Sequence, residues 1–461
     1  MKPPHSRPYD SVLQTIGWTP LIRLTRVAKG LRTPIYGKAE FFNPGASVKD
    51  RIGIAIIEAA EKSGELKQGG TIVEGTSGNT GVGLAIAAAL KGYQCIFTMP
   101  DKMSNEKVQL LKAFGAEVII TPTAVPPDHP DNYVMKAKQI VKDTPNSILA
   151  DQFYNPINPE VHYNTTGPEI WHQTEGRVTH FVASAGTGGT ISGAGKYLKE
   201  ENPNIKVIAG DPVGSIYTAE SRGETVEGHP YKVEGIGGDK IPTTLHFKYV
   251  DEFRTVTDAD SFQMARRITR EEGLFVGGSS GTNVYVALKI AAELDDPDAL
   301  IVAMLPSTGE AYLSKFYSDD WMRQNQMMEV ERVSAGTLLE QKDSGPPELV
   351  TVPPTATVRQ AINLMSTYNV SQLPVVADGD CVGSVSEGDL LAKAIADSSL
   401  LDRPVAESMD TPYPVVDVSI ALEKLTQLLS LEASAALVRE KGVLRGIVTR
   451  FDILKSVAGI R

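Results

Sequence analysis

Along the first two-thirds of the chain, apolar positions switch between two periods. Short runs of strand character, Thr71 to Val73, Gln94 to Thr98, Glu117 to Thr121, His180 to Ser184, Lys206 to Ala209 and Leu300 to Leu305, alternate with helical patterns at Ile52 to Ala60, Gly81 to Leu90, Lys107 to Phe114, Ile191 to Glu200 and Thr282 to Leu294. Such alternation predicts parallel sheets joined by crossover helices. Ligands in sheets of that kind sit beyond the carboxyl ends of strands, so the informative residues are expected in loops that follow strands. The last third reads differently. An apolar strand, a helix (Val358 to Tyr368; Leu422 to Leu431), paired strands and a final helix occur twice, from Leu349 to about Ala396 and from about Pro414 to Ser456. Gly383-Ser-Val-Ser-Glu-Gly-Asp-Leu-Leu391 aligns with Gly446-Ile-Val-Thr-Arg-Phe-Asp-Ile-Leu454. Between the two regions, Glu331 to Pro347 carries Ser, Gly, Asp and a Pro pair and reads as a linker. The expected organisation is a first domain over 1–330, a linker over 331–347, and a repeat over 348–461 with modules at 348–398 and 404–461.

Composition narrows the class. A chain of 461 residues is too long for one core. Its hydrophobic and charged fractions, 41% and 22%, are those of a globular protein in water. A net charge of -11 without a basic cluster argues against nucleic acid or an anionic membrane surface as partner. The longest apolar run, Val82 to Leu90, is broken by Gly83 and too short to cross a bilayer. Met1 to Pro8 lacks the apolar core of a signal peptide. The two cysteines, Cys95 and Cys381, fall in separate domains, which implies no disulfide framework and fits a reducing, cytoplasmic setting.

The first candidate for chemistry is Lys49, in Gly45-Ala-Ser-Val-Lys-Asp-Arg51. Ser47-Val48 before it and the apolar run Ile52 to Ala60 after it place it near the start of a mostly buried helix. Burial lowers a lysine pKa, and a neutral amine can form a Schiff base with an aldehyde. The ordinary alternative is a lysine whose stem packs while its head reaches water. Three loops that precede helices change the balance. Glu74 to Gly81 gathers Thr76, Ser77, Gly78, Asn79 and Thr80, more polar residues than one N-cap needs. Their small side chains admit a ligand to the backbone, and N–H groups at a helix start favour a carboxylate or phosphate. Gly186, Thr187, Gly188, Gly189 and Thr190 put three glycines and two hydroxyls together, suited to a phosphate. Neither a P-loop Lys-Ser/Thr nor the glycine spacing of a dinucleotide fingerprint is present there. The third loop is Gly277-Gly-Ser279-Ser-Gly281. With Lys49 the three fit one cofactor carrying an aldehyde, a phosphate and a ring nitrogen.

These residues resemble the β-replacing, fold type II group of pyridoxal-phosphate enzymes and, within it, the cystathionine β-synthase family; the resemblance covers nearly the whole chain. It implies an α/β fold with two parallel-sheet subdomains and pyridoxal 5'-phosphate as cofactor. Lys49 matches the Schiff-base lysine, Asn79 the partner of the ring oxygen, Gly186 to Thr190 the phosphate loop, and Ser279 the partner of the pyridine nitrogen. Thr76, Ser77, Gly78, Thr80 and Gln152 match positions around the substrate carboxylate. Asp211-Pro-Val-Gly-Ser215 and Glu234-Gly-Ile-Gly237 are similar to the synthase pattern, with Glu234 implied as receiver of the amino group of homocysteine. A surface-loop glutamate is the ordinary alternative. Two features depart from the pattern: Gly238 stands where the family usually has Tyr, and Pro306-Ser-Thr-Gly-Glu310 resembles the O-acetylserine sulfhydrylase loop, so a cysteine synthase is the alternative reading. The implied reaction is a β-replacement that joins L-serine and L-homocysteine to cystathionine and water, with release of hydrogen sulfide from cysteine as a further reaction, in a homodimer or higher homo-oligomer.

The C-terminal repeat resembles a tandem of CBS modules, an α+β pair that binds adenosyl ligands. Asp389 and Asp452 match its ribose-binding aspartate, whose carboxylate accepts from both ribose hydroxyls, and Ser386 and Thr449 match the hydroxyl beside it. Caps at helix N-termini are the ordinary alternative. S-adenosylmethionine, AMP or ATP is the expected kind of ligand, with the second module favoured because Phe451 adds an apolar contact. Animal members of the family hold a heme through Cys and His on an N-terminal extension; here no Cys precedes Cys95 and His5 stands alone, so no heme is expected.

Overall fold

The computed structural model describes residues 8–457 except 77, 102, 104, 127, 329–333, 341, 343–348 and 432. The chain divides into two compact units, Met1–Met328 and Glu329–Arg461. The first contains strands β1 (Leu21–Leu24), β2 (Ile35–Ala39), β3 (Thr71–Gly75), β4 (Gln94–Pro100), β5 (Glu117–Thr121), β6 (Ser147–Leu149), β7 (His180–Val182), β8 (Lys206–Pro212), β9 (Glu252–Val256) and β10 (Ile301–Leu305). They form a four-stranded sheet in the order β5-β4-β3-β6 and a six-stranded sheet in the order β1-β2-β10-β7-β8-β9. All pairings are parallel except β1 with β2, at an edge.

Both faces of the larger sheet are covered. Val182, Ile208, Ile301, Ala303 and Leu305 pack into one core, while Phe181, Ala183, Val207, Ala209, Val302 and Met304 pack into another. Successive residues of a strand face opposite ways, so strands buried on both sides read as unbroken apolar runs, as Leu300 to Leu305 does. A third core belongs to the smaller sheet and to helices α1 (Lys49–Ser63) and α2 (Asn79–Lys91); α3 (Asn105–Ala113) follows β4.

Helices begin earlier than the apolar pattern predicts. α2 starts at Asn79 rather than Gly81, the helix Gly189–Glu201 before Ile191, and the helix Gly278–Leu294 before Thr282. Asn79, Gly189, Thr190 and Ser279 are therefore first-turn residues rather than loop residues. Glycine and serine lower the apparent periodicity there, but the glycines permit close packing: a Cβ on Gly281 would lie 1.9 Å from the Ser261 carbonyl oxygen.

The second unit holds two modules. β11 (Gln372–Ala377) pairs with β12 (Asp380–Ser386), and β13 (Val415–Asp417), β14 (Ala435–Glu440) and β15 (Val443–Thr449) form a three-stranded sheet. The repeat extends to its irregularities, since both hairpins carry a register shift at the matching place, Val375/Val376 and Val438/Arg439. The apolar strand expected at the start of the first copy is reduced to a single bridge, Val352 with Val375. The expected linker needs correction. Residues Ala335–Glu340 form a helix, and Ala335 and Leu338 are buried in the core of the second module. Their spacing of three puts both on one helical face. The remainder of 331–347, apart from Ser334 and Lys342, lies outside the described residues.

Candidate functional site

Lys49, Gly186, Thr187, Gly188, Thr190 and Ser279 line one cavity of the first unit. Burial lowers the Lys49 amine from 10.5 to about 8, and no hydrogen bond or ion pair offsets this among the described residues. An amine so placed is neutral in a useful fraction near neutral pH and is competent as nucleophile and base. Its backbone is held from two sides. Gly83 of α2 passes so close that a Cβ there would lie 2.5 Å from the Lys49 carbonyl oxygen. Two residues on, the buried Arg51 guanidinium meets Glu40 (Nε to Oε2 2.7 Å) and Glu169 (Nη1 to Oε1 2.7 Å), and Lys38 completes the group with Glu169 at 2.6 Å. Two cations thus balance two anions under the first turn of α1.

The glycine loop is defined by what its glycines exclude. A Cβ on Gly186 would lie 2.2 Å from the Gly235 carbonyl oxygen, one on Gly188 (φ +79°) 2.5 Å from the Leu245 Cβ, and one on Gly189 1.9 Å from Asn158 Oδ1. Only glycine fits, and the backbone is left bare toward the cavity at a helix start. Asn158 Nδ2 donates to Thr187 Oγ1 (2.9 Å) and the Gln152 carbonyl (2.8 Å), Thr190 Oγ1 meets His162 Nε2 at 3.2 Å, and the Tyr217 hydroxyl donates to the Gly186 carbonyl (2.8 Å). Burial, with Arg51 and Lys49 nearby, holds the His162 imidazole neutral. A cradle of hydroxyls and bare backbone beside an activated amine suits the phosphate and aldehyde of pyridoxal phosphate. The Ser279 hydroxyl on the next helix offers a neutral partner for a ring nitrogen.

A second cluster surrounds the start of α2. Thr76 Oγ1 accepts from the Gly78 N–H (3.1 Å), Gly78 takes φ +145°, and Thr80 Oγ1 donates to Gln152 Oε1 (2.6 Å). Buried Glu74, raised to about 8 by desolvation, accepts from the Asp151 and Gln152 N–H groups (2.7 and 3.3 Å) and fixes Gln152 against the loop. Thr76, Gly78, Asn79, Thr80 and Gln152 are thus brought together; Ser77 lies outside the described residues. Glu234 is not a free carboxylate: Lys107 and Lys315 each pair with one of its oxygens. Burial alone would raise its carboxyl, but the two ammonium groups hold it below the usual range.

Sequence reasoning passed over Asn158, His162, Tyr217 and Asn283. Asn283 Oδ1 accepts from the Ser184 N–H (2.7 Å) while its Nδ2 donates to the Met304 carbonyl (2.8 Å), tying the ends of β7 and β10 to one helix. Their signal in the sequence is slight, because each acts on backbone remote along the chain. A Cβ on Gly238 would lie 2.4 Å from the Tyr217 hydroxyl, so a side chain there displaces the group that donates to the Gly186 carbonyl.

In the second unit, Ser386 and Asp389 line a cavity of about 790 Å³ together with Tyr413 and Ser434 of the other module. Ser386 caps its helix, accepting from the Asp389 N–H at 3.2 Å. The matching residues of the second copy are placed otherwise. Asp452 pairs with Lys342 at 2.8 Å and accepts from the Thr449 hydroxyl at 2.8 Å, and Phe451 is 67% exposed. Among the described residues, no helix is long and apolar enough to cross a membrane and no cluster of side chains suits a metal ion.

The family model described as pyridoxal-phosphate dependent enzyme matches residues 12–307, and the CBS domain model matches 346–395 and 405–459. The chain is 40% identical over 459 residues to the cystathionine beta-synthase of Dictyostelium discoideum, covering 96% of this chain and 91% of that one. It is 42% identical over 437 residues to the cystathionine beta-synthase of Rattus norvegicus, covering 93% and 78%. Among solved structures, an O-ureido-L-serine synthase superposes with a TM-score of 0.62 at 37% identity, over 69% of this chain and 100% of that one. A hydrogen sulfide-producing enzyme from Fusobacterium nucleatum does so with a TM-score of 0.62 at 36% identity, over 67% and 99%. The chain belongs to the cystathionine beta-synthase family of pyridoxal-phosphate dependent enzymes.

Proposed function

We propose that this protein catalyses the β-replacement of transsulfuration, joining L-serine and L-homocysteine to cystathionine and water. The observation that carries the reading is the buried Lys49 amine, lowered to about 8, in one cavity with the glycine loop and Ser279. Lys49 would hold the cofactor through its aldehyde carbon, Gly186 to Thr190 would receive its phosphate, and Asn79 and Ser279 would meet its ring oxygen and ring nitrogen. The bound cofactor supplies an electron sink for the charge that develops at the substrate Cα. Thr76, Thr80, Gln152 and the first N–H groups of α2 orient the serine carboxylate. With serine bound, the Lys49 amine would remove the Cα proton, the β-hydroxyl would leave as water with the proton given up by the thiol, and Lys49 would return its proton to Cα after the thiolate had added at Cβ. Ser279, unlike a carboxylate, would not hold a proton on the ring nitrogen, which would temper the sink and favour elimination over transamination. The reading assigns no heme.

A cysteine synthase using O-acetylserine and sulfide is the second reading, favoured by Gly238 and by the loop that begins at Pro306. Steady-state assays with serine plus homocysteine and with O-acetylserine plus sulfide separate the two. The first pair is expected to give the higher kcat/KM, and the reverse order would assign the chain to cysteine synthesis. In the second unit, we infer that an adenosyl compound occupies the cavity at Ser386 and Asp389, because Lys342 already pairs with Asp452 at the other.

A further inference from the structure

Asn158 lies in neither the glycine loop nor the cluster at the start of α2, yet its amide reaches a residue of each. It sits on the short helix Ile157–Val161 and is 1% exposed. Its Nδ2 donates one hydrogen to the Gln152 carbonyl (2.8 Å) and the other to Thr187 Oγ1 (2.9 Å). The first partner fixes the amide, because a carbonyl accepts and cannot donate, so only the nitrogen can face it. Gln152 is itself anchored: its N–H donates to Glu74 and its side chain accepts from the Thr80 hydroxyl. An amide with both hydrogens spent, one of them on an anchored partner, is not free to turn.

The consequence falls on Thr187. Its hydroxyl oxygen accepts from Asn158 and, at 3.4 Å, from the Gly189 N–H. A hydroxyl has two lone pairs and one hydrogen, so both acceptor positions are taken and the hydrogen is left over. Among the described residues no acceptor meets that hydrogen, although Thr187 is 6% exposed and lines the cavity. A buried O–H costs free energy until something accepts from it. We propose that Asn158 is a positioning residue for the cofactor phosphate, which makes the Thr187 hydroxyl an obligate donor aimed into the cavity. The inference rests on the assignment of Gly186 to Thr190 to that phosphate. It gives Asn158 a part in binding without contact to the ligand, and it makes the direction of one hydroxyl depend on the Gln152 backbone, on the substrate side.

The test titrates the full-length chain, freed of cofactor, with pyridoxal 5'-phosphate and with pyridoxal, which lacks the phosphate, both followed by absorbance. The wild type is expected to prefer the phosphorylated aldehyde. Asn158→Ala is expected to lower that preference about tenfold, the loss of one hydrogen bond to a charged group. Asn158→Asp is expected to lower it further, because the Thr187 hydroxyl then donates to the carboxylate and presents a lone pair to the phosphate. A residue that merely filled space would rank the other way, since aspartate keeps the volume and alanine leaves a void. The same two substitutions in a Thr187→Ala background, which has no hydroxyl to turn, measure the void and the added charge by themselves. There the effect of Asn158→Ala is expected to fall below about twofold, and the gap between the two substitutions to narrow. Thr187→Ser, which keeps the hydroxyl, is expected to keep the preference that Thr187→Ala loses. Affinity for pyridoxal is expected to stay within about twofold in every variant, as an intact cavity requires. A smaller loss with Asn158→Asp than with Asn158→Ala, an undiminished effect of Asn158→Ala without the Thr187 hydroxyl, or an equal loss of both aldehydes overturns the inference. Equal affinity of the wild type for the two aldehydes overturns instead the loop assignment on which it rests.

Discussion

At the scale of single residues, the site depends on a lysine made unlike other lysines by its surroundings. Lys49 shares its helix start with Arg51, yet the two are treated oppositely. Arg51 is compensated by Glu40 and Glu169, whereas among the described residues no anion pairs with the buried Lys49 amine, and burial lowers it to about 8. A basic group whose value is lowered is neutral above that value and protonated below it. Capture of pyridoxal phosphate by the apo-protein, followed by absorbance, is therefore expected to speed up as pH rises toward about 8 and to level off beyond it. A rate that keeps climbing to pH 10 would mean an ordinary exposed amine. The sequence showed the apolar run that buries Lys49 but not the absence of a partner, because Glu40 and Glu169 lie 11 and 118 residues from Arg51 and their choice of cation is set in space.

At the scale of elements, α1 and α2 touch backbone to backbone. A Cβ on Gly53 would lie 2.4 Å from the Gly83 carbonyl carbon, and one on Gly83 would lie 2.5 Å from the Lys49 carbonyl oxygen. Neither obstacle is a flexible side chain, so Gly83→Ala forces a helix shift. Overpacking of this kind costs about 1–3 kcal/mol, and here the displaced atoms carry Lys49. The variant is expected to melt earlier and to lose both cofactor affinity and turnover, measured by calorimetry and by cofactor titration. Unchanged cofactor affinity would show that α1 can slide without moving Lys49 from the cavity. In the sequence Gly83 is no more than an interruption in an apolar run; its role comes from the angle at which two helices cross.

At the scale of the whole molecule, Lys49 to Lys315, with every candidate catalytic residue, lie in the first unit, and both candidate adenosyl sites lie in the second. A cut after Met328 separates the units cleanly. A cut near residue 345 leaves the helix Ala335–Glu340 without its core, exposing Ala335 and Leu338. The 1–328 fragment is expected to retain β-replacement with no response to adenosyl compounds, while the longer fragment aggregates more readily in light scattering. In the full chain, calorimetry with S-adenosylmethionine, AMP and ATP is expected to show binding that Asp389→Ala removes and Asp452→Ala leaves in place. Loss of binding on Asp452→Ala alone would place the ligand at the second module.

What the sequence determined by itself is whatever local periodicity and local sterics decide. The alternation of strand and helix patterns required parallel sheets, the repeat required two like modules, and the glycine-rich segments after β3 and β7 marked where helices start on closely approached backbone. What only the tertiary structure decided is which side chains meet across long separations. Lys107 and Glu234 are 127 residues apart, Asn158 and Thr187 29 apart, and Lys342 reaches Asp452 from a stretch that composition marks as a linker. Such pairs leave no periodic trace, because their closeness follows from how sheets and helices stack, and a charge chooses its partner only after the chain has brought the choices within a few ångströms.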